Sequence, residues 1–499
     1  MISTLLLSAL AVTTAVAKDI GTVGTITNQE SMQKLASGSE LFALYSEPAY
    51  VDPIYLVSLY GDTPYDQGYD AGVLVGKQFY DNYHNLLSGL FGPYPKLEPT
   101  LTKLTEEFLD WQWNDYLSKE VPQEYMDELS GLAAGSLATF GIADGDKMVA
   151  RGIVLGNLPG DGADIIYVLM DEFLSQKAAS PEGLTPAQRI AYGNVARGIS
   201  AYNGHQCSNF GIWGSRTVNG DVFSARNLDW LPDLGVNQYK LLTVHHPKGG
   251  VPHVTVGFSA IWGSLAGMSA QGLTVHEANL EESQVTFRGF PWLLRLRHAM
   301  AYSPTGSLAE AKAIWEATNN TVGFNHMFGS AVDGKAMAME TQKDYSAYFF
   351  DMDDRENGAI DPETGEVYGF PLKDAVWRTN HGYDPVSQEN YQWYTYHAYS
   401  NSKDRYNIIH DHIEEYETNK ELIGATEAVR ITSAVGMKGD GSNEEVCDPS
   451  LYAKGINVLS VTYDPVAKTI YAAFEDGSGD NWVPAACSPY VKIDMTPWF

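Results

Sequence analysis

Cys207 opens the stretch QCSNFGIWGSRTVNGDVFSARNLDW at residues 206–230. Its thiol can be a packed core group, half of a disulfide, or a nucleophile. Asn219-Gly220 is a strong hairpin signal, because both central positions accept a positive φ. Such a hairpin returns residues 222–229 alongside 207–215 and can place Arg226 and Asp229 at the cysteine end. The thiolate is the reactive form, and a free cysteine has a pKa of about 8.5. A guanidinium beside it favours the thiolate, and an aspartate there can hold an amine. No histidine lies in this hairpin, so a cysteine–histidine pair needs a distant partner. A cut between Gln206 and Cys207 removes that need. The new α-amine, with an ordinary pKa of about 7.7–8.0, can act as general base for its own thiol. Asp229 would then orient that amine.

The elements that must position these groups fall in blocks. Residues 60–150 carry apolar side chains at three- and four-residue spacing, as in YDQGYDAGVLVGKQFYDNYHNLL, LTKLTEEFLDWQWNDYL and EYMDELSGLAAG, which predicts helices. The small residues of the last segment allow close helix packing. Residues 175–186 form a loop rich in Ser, Pro and Gly. Past Ser200 the pattern changes to strands: CSNFGIWGS, DVFSARNL, YKLLTVHHP, PHVTVGFSAIWGSLAGM and GLTVHEANL. Helices are predicted within 290–318, then a hairpin about Asp333-Gly334. SKDRYNIIHDHIEEYETN reads as a helix with Ser402 near its N-cap. NVLSVTYDPVAKTIYAAFED reads as a closing pair of strands about an Asp-Pro turn. With little βαβ alternation, the fold class is α+β with mostly antiparallel sheet.

Composition narrows the setting. The 499 residues suffice for one large or two to three ordinary domains, and 44% hydrophobic content is that of a globular chain. The formal net charge of −30 repels phosphate backbones and anionic lipid, so no nucleic-acid partner is expected. Residues 1–17, MISTLLLSALAVTTAVA, have the apolar run and Ala-Val-Ala end of a signal peptide but lack its basic start. A buried N-terminal helix is the alternative. No later run of about 18 apolar residues predicts a membrane span. In an oxidising compartment three cysteines leave one over. Pairing Cys447 with Cys487 is simplest and leaves Cys207 free. Asn319-Asn320-Thr321 is a glycosylation sequon.

Nucleotide-loop, dinucleotide, Gly-x-Ser-x-Gly and His-Glu-x-x-His patterns are absent from the sequence. No cofactor and no metal are expected. In DMDDRENGAIDPE at 351–363, Arg355 stands where a calcium loop needs an oxygen ligand, so the stretch reads as a solvated loop. His410 and His412, two apart on a predicted helix, point to different faces. His245 and His246 precede a Pro-Lys-Gly-Gly turn and read as surface residues.

The hairpin resembles the start of the catalytic chain in N-terminal nucleophile (Ntn) cysteine hydrolases of the choloylglycine hydrolase, acid ceramidase and isopenicillin N acyltransferase group. There a Cys opens a strand, and Arg-Asn-x-Asp follows on the paired strand; here these are Cys207 and Arg226-Asn227-Leu228-Asp229. GMSAQGL (267–273) resembles a pocket-shaping segment. RTNHG (378–382) resembles the segment whose asparagine, Asn380, stabilises an oxyanion. SKDRY (402–406) resembles a Ser-x-x-Arg-aromatic motif that maps to Arg405. LSVTYDPVAKTIYAAF resembles the closing strands, and LYGDTPYDQGYDAG with MDELSGLAAG resembles the pro-region of the acyltransferase branch. The resemblance covers most of residues 55–475. Ser269 departs from it, since many relatives carry Asn there. Ser208 replaces a common Thr, and the cleavage site at Gln206 follows from the cysteine alone.

The resemblance implies a four-layer αββα sandwich with two mostly antiparallel sheets, preceded by a largely helical pro-region. It implies a signal peptide at 1–17, an α chain at 18–206 and a catalytic β chain at 207–499, separated by autocatalytic cleavage and staying associated. Catalysis would rest on Cys207, Arg226, Asp229, Asn380 and Arg405, with substrate contacts at Ser269 and Asn227. The expected activity is an amidohydrolase or acyltransferase acting on linear amides of small-molecule or lipid N-acyl substrates through a cysteine thioester. A phospholipase B-like deacylase and a non-catalytic binding protein on the same scaffold are the alternatives. The expected place is the secretory pathway, with secretion or delivery to a lysosome or vacuole.

Overall fold

The structure, a computed structural model, describes residues 18–91, 98–157, 206–230, 232–280, 284, 286, 288–390, 396–439, 446–447 and 456–499. The leader and the loop at 175–186 lie outside the described residues. The described residues begin with strands β1 (Lys18–Asp19), β2 (Val23–Lys34), β3 (Glu40–Glu47) and β4 (Ile54–Leu59). Helices α1 (Pro64–Phe91), α2 (Glu98–Asp115), α3 (Gln123–Phe140) and α4 (Gly145–Asn157) follow. Next come β5 (Gln206–Ile212), β6 (Phe223–Asp229), β7 (Lys240–His245), β8 (His253–Phe258), β9 (Ala266–Ser269) and β10 (Leu273–Asn279). Helices α5 (Trp292–Tyr302) and α6 (Leu308–Glu316) precede β11 (Phe324–Ser330), β12 (Lys335–Gln342), β13 (Tyr345–Phe349), β14 (Ala359–Ile360), β15 (Val367–Tyr368) and β16 (Ala375–Arg378). The chain continues through α7 (Pro385–Glu389), α8 (Tyr396–Asn419), α9 (Ala425–Gly439), β17 (Val446–Cys447), β18 (Asn457–Asp464), β19 (Thr469–Phe474) and β20 (Tyr490–Asp494).

Local chemistry explains where these elements start and turn. Thr63 caps α1: its hydroxyl accepts from the Asp66 N–H at 3.2 Å, and the Asp66 carboxylate accepts from the Thr63 N–H at 3.0 Å. This reciprocal arrangement, with Pro64 as the first helical residue, satisfies donors that a helix start leaves open. The β5–β6 connection takes positive φ at both Asn219 (59°) and Gly220 (76°). Helix α8 starts at Tyr396, so Ser402 is buried within the helix rather than near its cap. The sequence places Ser402 there only if the helix begins at the first charged turn. His245 ends β7 buried, stacked on His253 of β8 and 3.9 Å from Glu128 of α3, not at the surface, because the strand runs through it before the turn.

The sheet overturns the expected sandwich of two sheets. Sixteen strands form one continuous sheet in the order β13-β12-β11-β10-β9-β8-β7-β4-β3-β2-β20-β19-β18-β6-β5-β16. Pairing is antiparallel except for β4 with β7 and β2 with β20. The expected pro-region was largely helical, yet its first strands, β2–β4, form the middle of this sheet. They hydrogen-bond to β7 on one side and β20 on the other, so two strand runs that could each end in an open edge are joined. The sheet curls into a nearly closed barrel whose arms face each other. Ser224 on β6 meets Thr274 on β10, Oγ to Oγ1, at 2.7 Å. Asn209 on β5 donates to the Asn325 carbonyl on β11 at 3.2 Å. Near the two ends of the sheet, Arg378 of β16 donates Nε to Glu340 of β12 at 2.9 Å.

The helices cover the outside. Helices α1 and α3 bury Phe79 and Leu132 with Val57 of β4, Leu241 of β7 and Leu294 of α5. Helices α8 and α9 bury Ile409 and Val435 against Phe210 of β5 and Trp377 of β16. The α1–α3 crossing is close: a Cβ on Gly131 or Gly135 would fall on the carbonyl oxygens of Tyr65 or Tyr69. Cys447 and Cys487 form a disulfide with Cα atoms 5.6 Å apart, and Cys207 is free and buried.

Candidate active site

Cys207 is the second residue of β5 and pairs with Leu228 of β6, while Asn209 pairs with Arg226. Side chains alternate across a strand, so Cys207, Asn209, Arg226 and Leu228 share the face toward the opposite arm of the sheet. Arg226 approaches the thiol, Nη2 to Sγ, at 3.5 Å. The same Nη2 lies 2.7 Å from Glu277 Oε1 of β10, and Nη1 donates to the Leu265 carbonyl at 3.0 Å. The backbone N–H of Cys207 donates to Asn380 Oδ1 at 2.9 Å. Arg405 of α8 spans both groups: Nη2 donates to Asn380 Oδ1 at 2.6 Å, and Nη1 donates to the Cys207 carbonyl. Asn380 Nδ2 donates to the Asn279 carbonyl at 2.6 Å, and the Asn279 N–H faces the Cys207 sulfur.

Asp229 closes β6 opposite Gln206. Its Oδ1 accepts from Asn457 Nδ2 at 2.6 Å, and its Oδ2 has no hydrogen-bond partner among the described residues. All of these side chains are buried, and burial dominates their electrostatics. It pushes the Cys207 thiol up to about 12, with the Glu277 charge adding to that and Arg226 opposing it. It pushes the Asp229 carboxyl up to about 6 against the pull of Arg405, Asn457 and Arg226. Burial also raises the Glu277 carboxyl, again opposed by Arg226. In the uncut chain the thiol is therefore protonated at neutral pH. What the site supplies is an amide and two guanidinium groups around one cysteine and its backbone nitrogen.

Cys207, Arg226, Asp229, Asn380 and Arg405 thus lie in one cluster, with Gln206 at its edge. Ser269 does not join it. Ser269 ends β9 at the β9–β10 turn and accepts from the Leu273 N–H at 3.2 Å. That turn is the far end of β10 from Asn279, about 20 Å along a seven-residue strand. Asn227 lies on the other face of β6 and donates to the Thr432 carbonyl of α9 at 3.0 Å. Asn319 is exposed outside the cluster. Arg355, in the acidic loop, is 2.8 Å from Asp353 and 2.9 Å from Asp384.

Glu277 and Asn279 were missed by sequence reasoning. Their signal was present, since two polar residues two apart put a carboxylate and an amide on the face that β10 otherwise fills with Leu273 and Val275. Asn457, partner of Asp229, had no comparable signal.

The family model described as acyl-coenzyme A:6-aminopenicillanic acid acyl-transferase matches residues 215–478. The matched region contains Arg226, Asp229, Asn380 and Arg405 and begins after Cys207. No curated protein matches the chain. Among solved structures it is similar to a Caenorhabditis elegans N-acylethanolamine-hydrolyzing acid amidase ortholog, at 12% identity over 52% of this chain and 93% of that one, with TM-score 0.35. It is also similar to a mutant conjugated bile acid hydrolase from Clostridium perfringens, at 14% identity over 58% and 93%, with TM-score 0.30. For penicillin V acylase from Agrobacterium tumefaciens the values are 12%, 58%, 92% and 0.30. Matched by the family model over more than half its length, the chain belongs to the acyl-coenzyme A:6-aminopenicillanic acid acyl-transferase family.

Proposed function

We propose that this chain is a precursor that cuts itself before Cys207 and then acts as an N-terminal cysteine amidohydrolase or acyltransferase on linear amides of N-acyl compounds. The observation that carries this reading is the grip on the Cys207 backbone. Asn380 holds the nitrogen that cleavage would turn into an α-amine, and Arg405 ties that asparagine to the Cys207 carbonyl. The open oxygen of Asp229 offers such an amine a partner.

In self-cleavage the Cys207 sulfur attacks the Gln206 carbonyl carbon, and the amide nitrogen leaves with a proton as the new α-amine. Water then hydrolyses the thioester and frees the thiol. In turnover the α-amine takes the thiol proton while sulfur attacks the substrate amide carbonyl. The Asn380 carboxamide and the Asn279 N–H stabilise the oxyanion, a contribution of roughly 3–4 kcal/mol per donor. The amine product leaves with the proton. Water or an acceptor amine resolves the acyl-enzyme, and the α-amine again manages the proton. Arg226 supports thiolate character beside Glu277.

Under this reading residues 1–17 are a leader, 18–206 the α chain and 207–499 the catalytic chain, in a secreted or lysosome-like protein carrying a glycan at the exposed Asn319. No helix among the described residues is long and apolar enough to cross a membrane. The test is intact mass and N-terminal sequencing of active protein together with Cys207→Ala. The expected result is a chain starting at Cys207 and a variant that is uncut and inactive. Full activity from an uncut chain, or from Cys207→Ala, would overturn the proposal.

A further inference from the structure

Asn380 sits in the loop between β16 and α7, and a loop holds a carboxamide at a fixed angle only if its own peptides are held. The Asn380 N–H donates to Ser402 Oγ of α8 at 2.8 Å. Ser402 Oγ is also 2.9 Å from His381 Nδ1 and 3.0 Å from Thr379 Oγ1, and Thr379 returns its own hydroxyl to the Ser402 carbonyl at 3.0 Å. The far side of the imidazole is fixed as well. His381 Nε2 lies 3.0 Å from the hydroxyls of both Tyr368 and Tyr383. From β11, Asn325 Nδ2 donates to the carbonyls on either side of Asn380, Thr379 at 2.7 Å and His381 at 3.0 Å. His381 and Ser402 are fully buried.

We propose that His381, acting through Ser402, is a positioning residue that sets the Asn380 peptide so that its carboxamide meets the oxyanion. The inference rests on the function proposed above, in which Asn380 acts in the transition state. His381 touches neither Cys207 nor the reacting carbonyl, so its effect must pass through Asn380. A serine hydroxyl alone can rotate; bonded to an imidazole that two tyrosines hold, it presents one fixed acceptor to the Asn380 N–H. Burial, with Arg378 and Arg405 nearby, holds the imidazole well below its usual range, so it is a neutral bridge and not an acid or base in the reaction.

The test uses the processed full-length enzyme and a panel of fatty N-acyl aminocoumarin amides, with Ser402→Ala, His381→Gln and His381→Asn. Asparagine can keep a polar group at the Ser402 side, and glutamine cannot. We expect Ser402→Ala and His381→Gln to lower kcat and kcat/KM together by about 10- to 100-fold with KM within twofold, the pattern of a lost transition-state contact. His381→Asn should retain most activity, and no variant should move the limbs of the pH profile. In an Asn380→Ala background, Ser402→Ala should add less than twofold, because residues acting through one group are not additive. Self-cleavage before Cys207 and an unchanged thermal midpoint identify folded variants. If Ser402→Ala does not fold, the paired His381 variants carry the same comparison. Equal losses with and without Asn380, or kcat within twofold for Ser402→Ala and His381→Gln, would refute positioning while leaving the proposed function standing. Absence of Cys207-dependent turnover in the parent overturns the proposed function and this inference with it.

Discussion

At the scale of residues, the site is set by what surrounds one sulfur. Arg226 alone would favour the thiolate, but it shares its charge with Glu277 at 2.7 Å, and burial holds the thiol at about 12 in the uncut chain. The uncut thiol should therefore alkylate slowly at pH 7.5. Glu277→Gln removes a charge that raises the thiol and leaves Arg226 less neutralised. Its expected effect is a lower thiol midpoint and several-fold faster reaction with iodoacetamide, read from the pH dependence of alkylation of the uncut chain. An unchanged or higher midpoint would show that the Arg226–Glu277 pair does not govern the sulfur. Asn380→Ala should lower kcat by about 100- to 1,000-fold with little change in KM, as for loss of one oxyanion donor. Much of this cluster was legible because Cys207, Arg226 and Asp229 lie on one hairpin whose turn residues announce it. Glu277 was not legible as a partner, because nothing local says which strand will face β6.

Elements differ in how much of their packing the sequence carries. The helical period of 64–140 is strong, and the glycines at 131 and 135 permit the close α1–α3 crossing. Gly131→Ala would press a methyl into the Tyr65 carbonyl, so the helices must part. A loss of about 1–3 kcal/mol is expected from overpacking, seen as a lower urea midpoint with an unchanged slope. An unchanged midpoint would mean the crossing relaxes freely. The Cys447–Cys487 disulfide closes a loop with a sequence separation of 40. Cys447→Ala with Cys487→Ala should cost about 4 kcal/mol by the chain-entropy argument, read by urea unfolding. Strand β2 was illegible, since most of VGTITNQESMQK is exposed and it carries no apolar alternation to mark it. It is held instead by its neighbours β3 and β20.

For the whole molecule, the joined sheet has two consequences. Strands β2–β4 lie between β7 and β20, so after a cut before Cys207 the two fragments still share sheet hydrogen bonds on both sides. They should co-elute in native size exclusion in high salt and separate only under denaturing conditions. Native dissociation would contradict the strand order. The second consequence concerns acid. Among the described residues, burial holds six histidines low: His245, His246, His253, His276, His326 and His381. It holds six carboxyls high: Glu128, Asp229, Glu277, Glu356, Asp464 and Glu475. A histidine with a depressed folded pKa loses stability as pH falls below about 6.5, because the unfolded chain takes the proton first. A carboxyl with a raised folded pKa gains stability as pH falls towards about 4, because the fold takes the proton first. The two sets oppose each other down to about pH 4. Below it the histidine loss continues, and the depressed carboxylates Glu40, Glu124, Glu310, Asp353, Asp361 and Asp494 add to it. The urea midpoint should change little from pH 6.5 to 4.5 and fall steeply below 4. A steady decline from pH 6.5 would show that the histidines alone control acid stability.

The sequence by itself determined the candidate groups, the hairpin that carries three of them, the helical block and the family, because turn chemistry, helical period and ordered motifs are local. Only the tertiary structure decided how many sheets there are and what faces the cysteine. Strand order depends on which edges meet after the chain has collapsed, and β2–β4 close a gap between β7 and β20 that no local pattern reveals. The same holds for Asn380 and Arg405, which reach Cys207 from 173 and 198 residues away. Their motifs mark them by resemblance, but only the packing of α8 against β5 turns them into the hold on its backbone nitrogen.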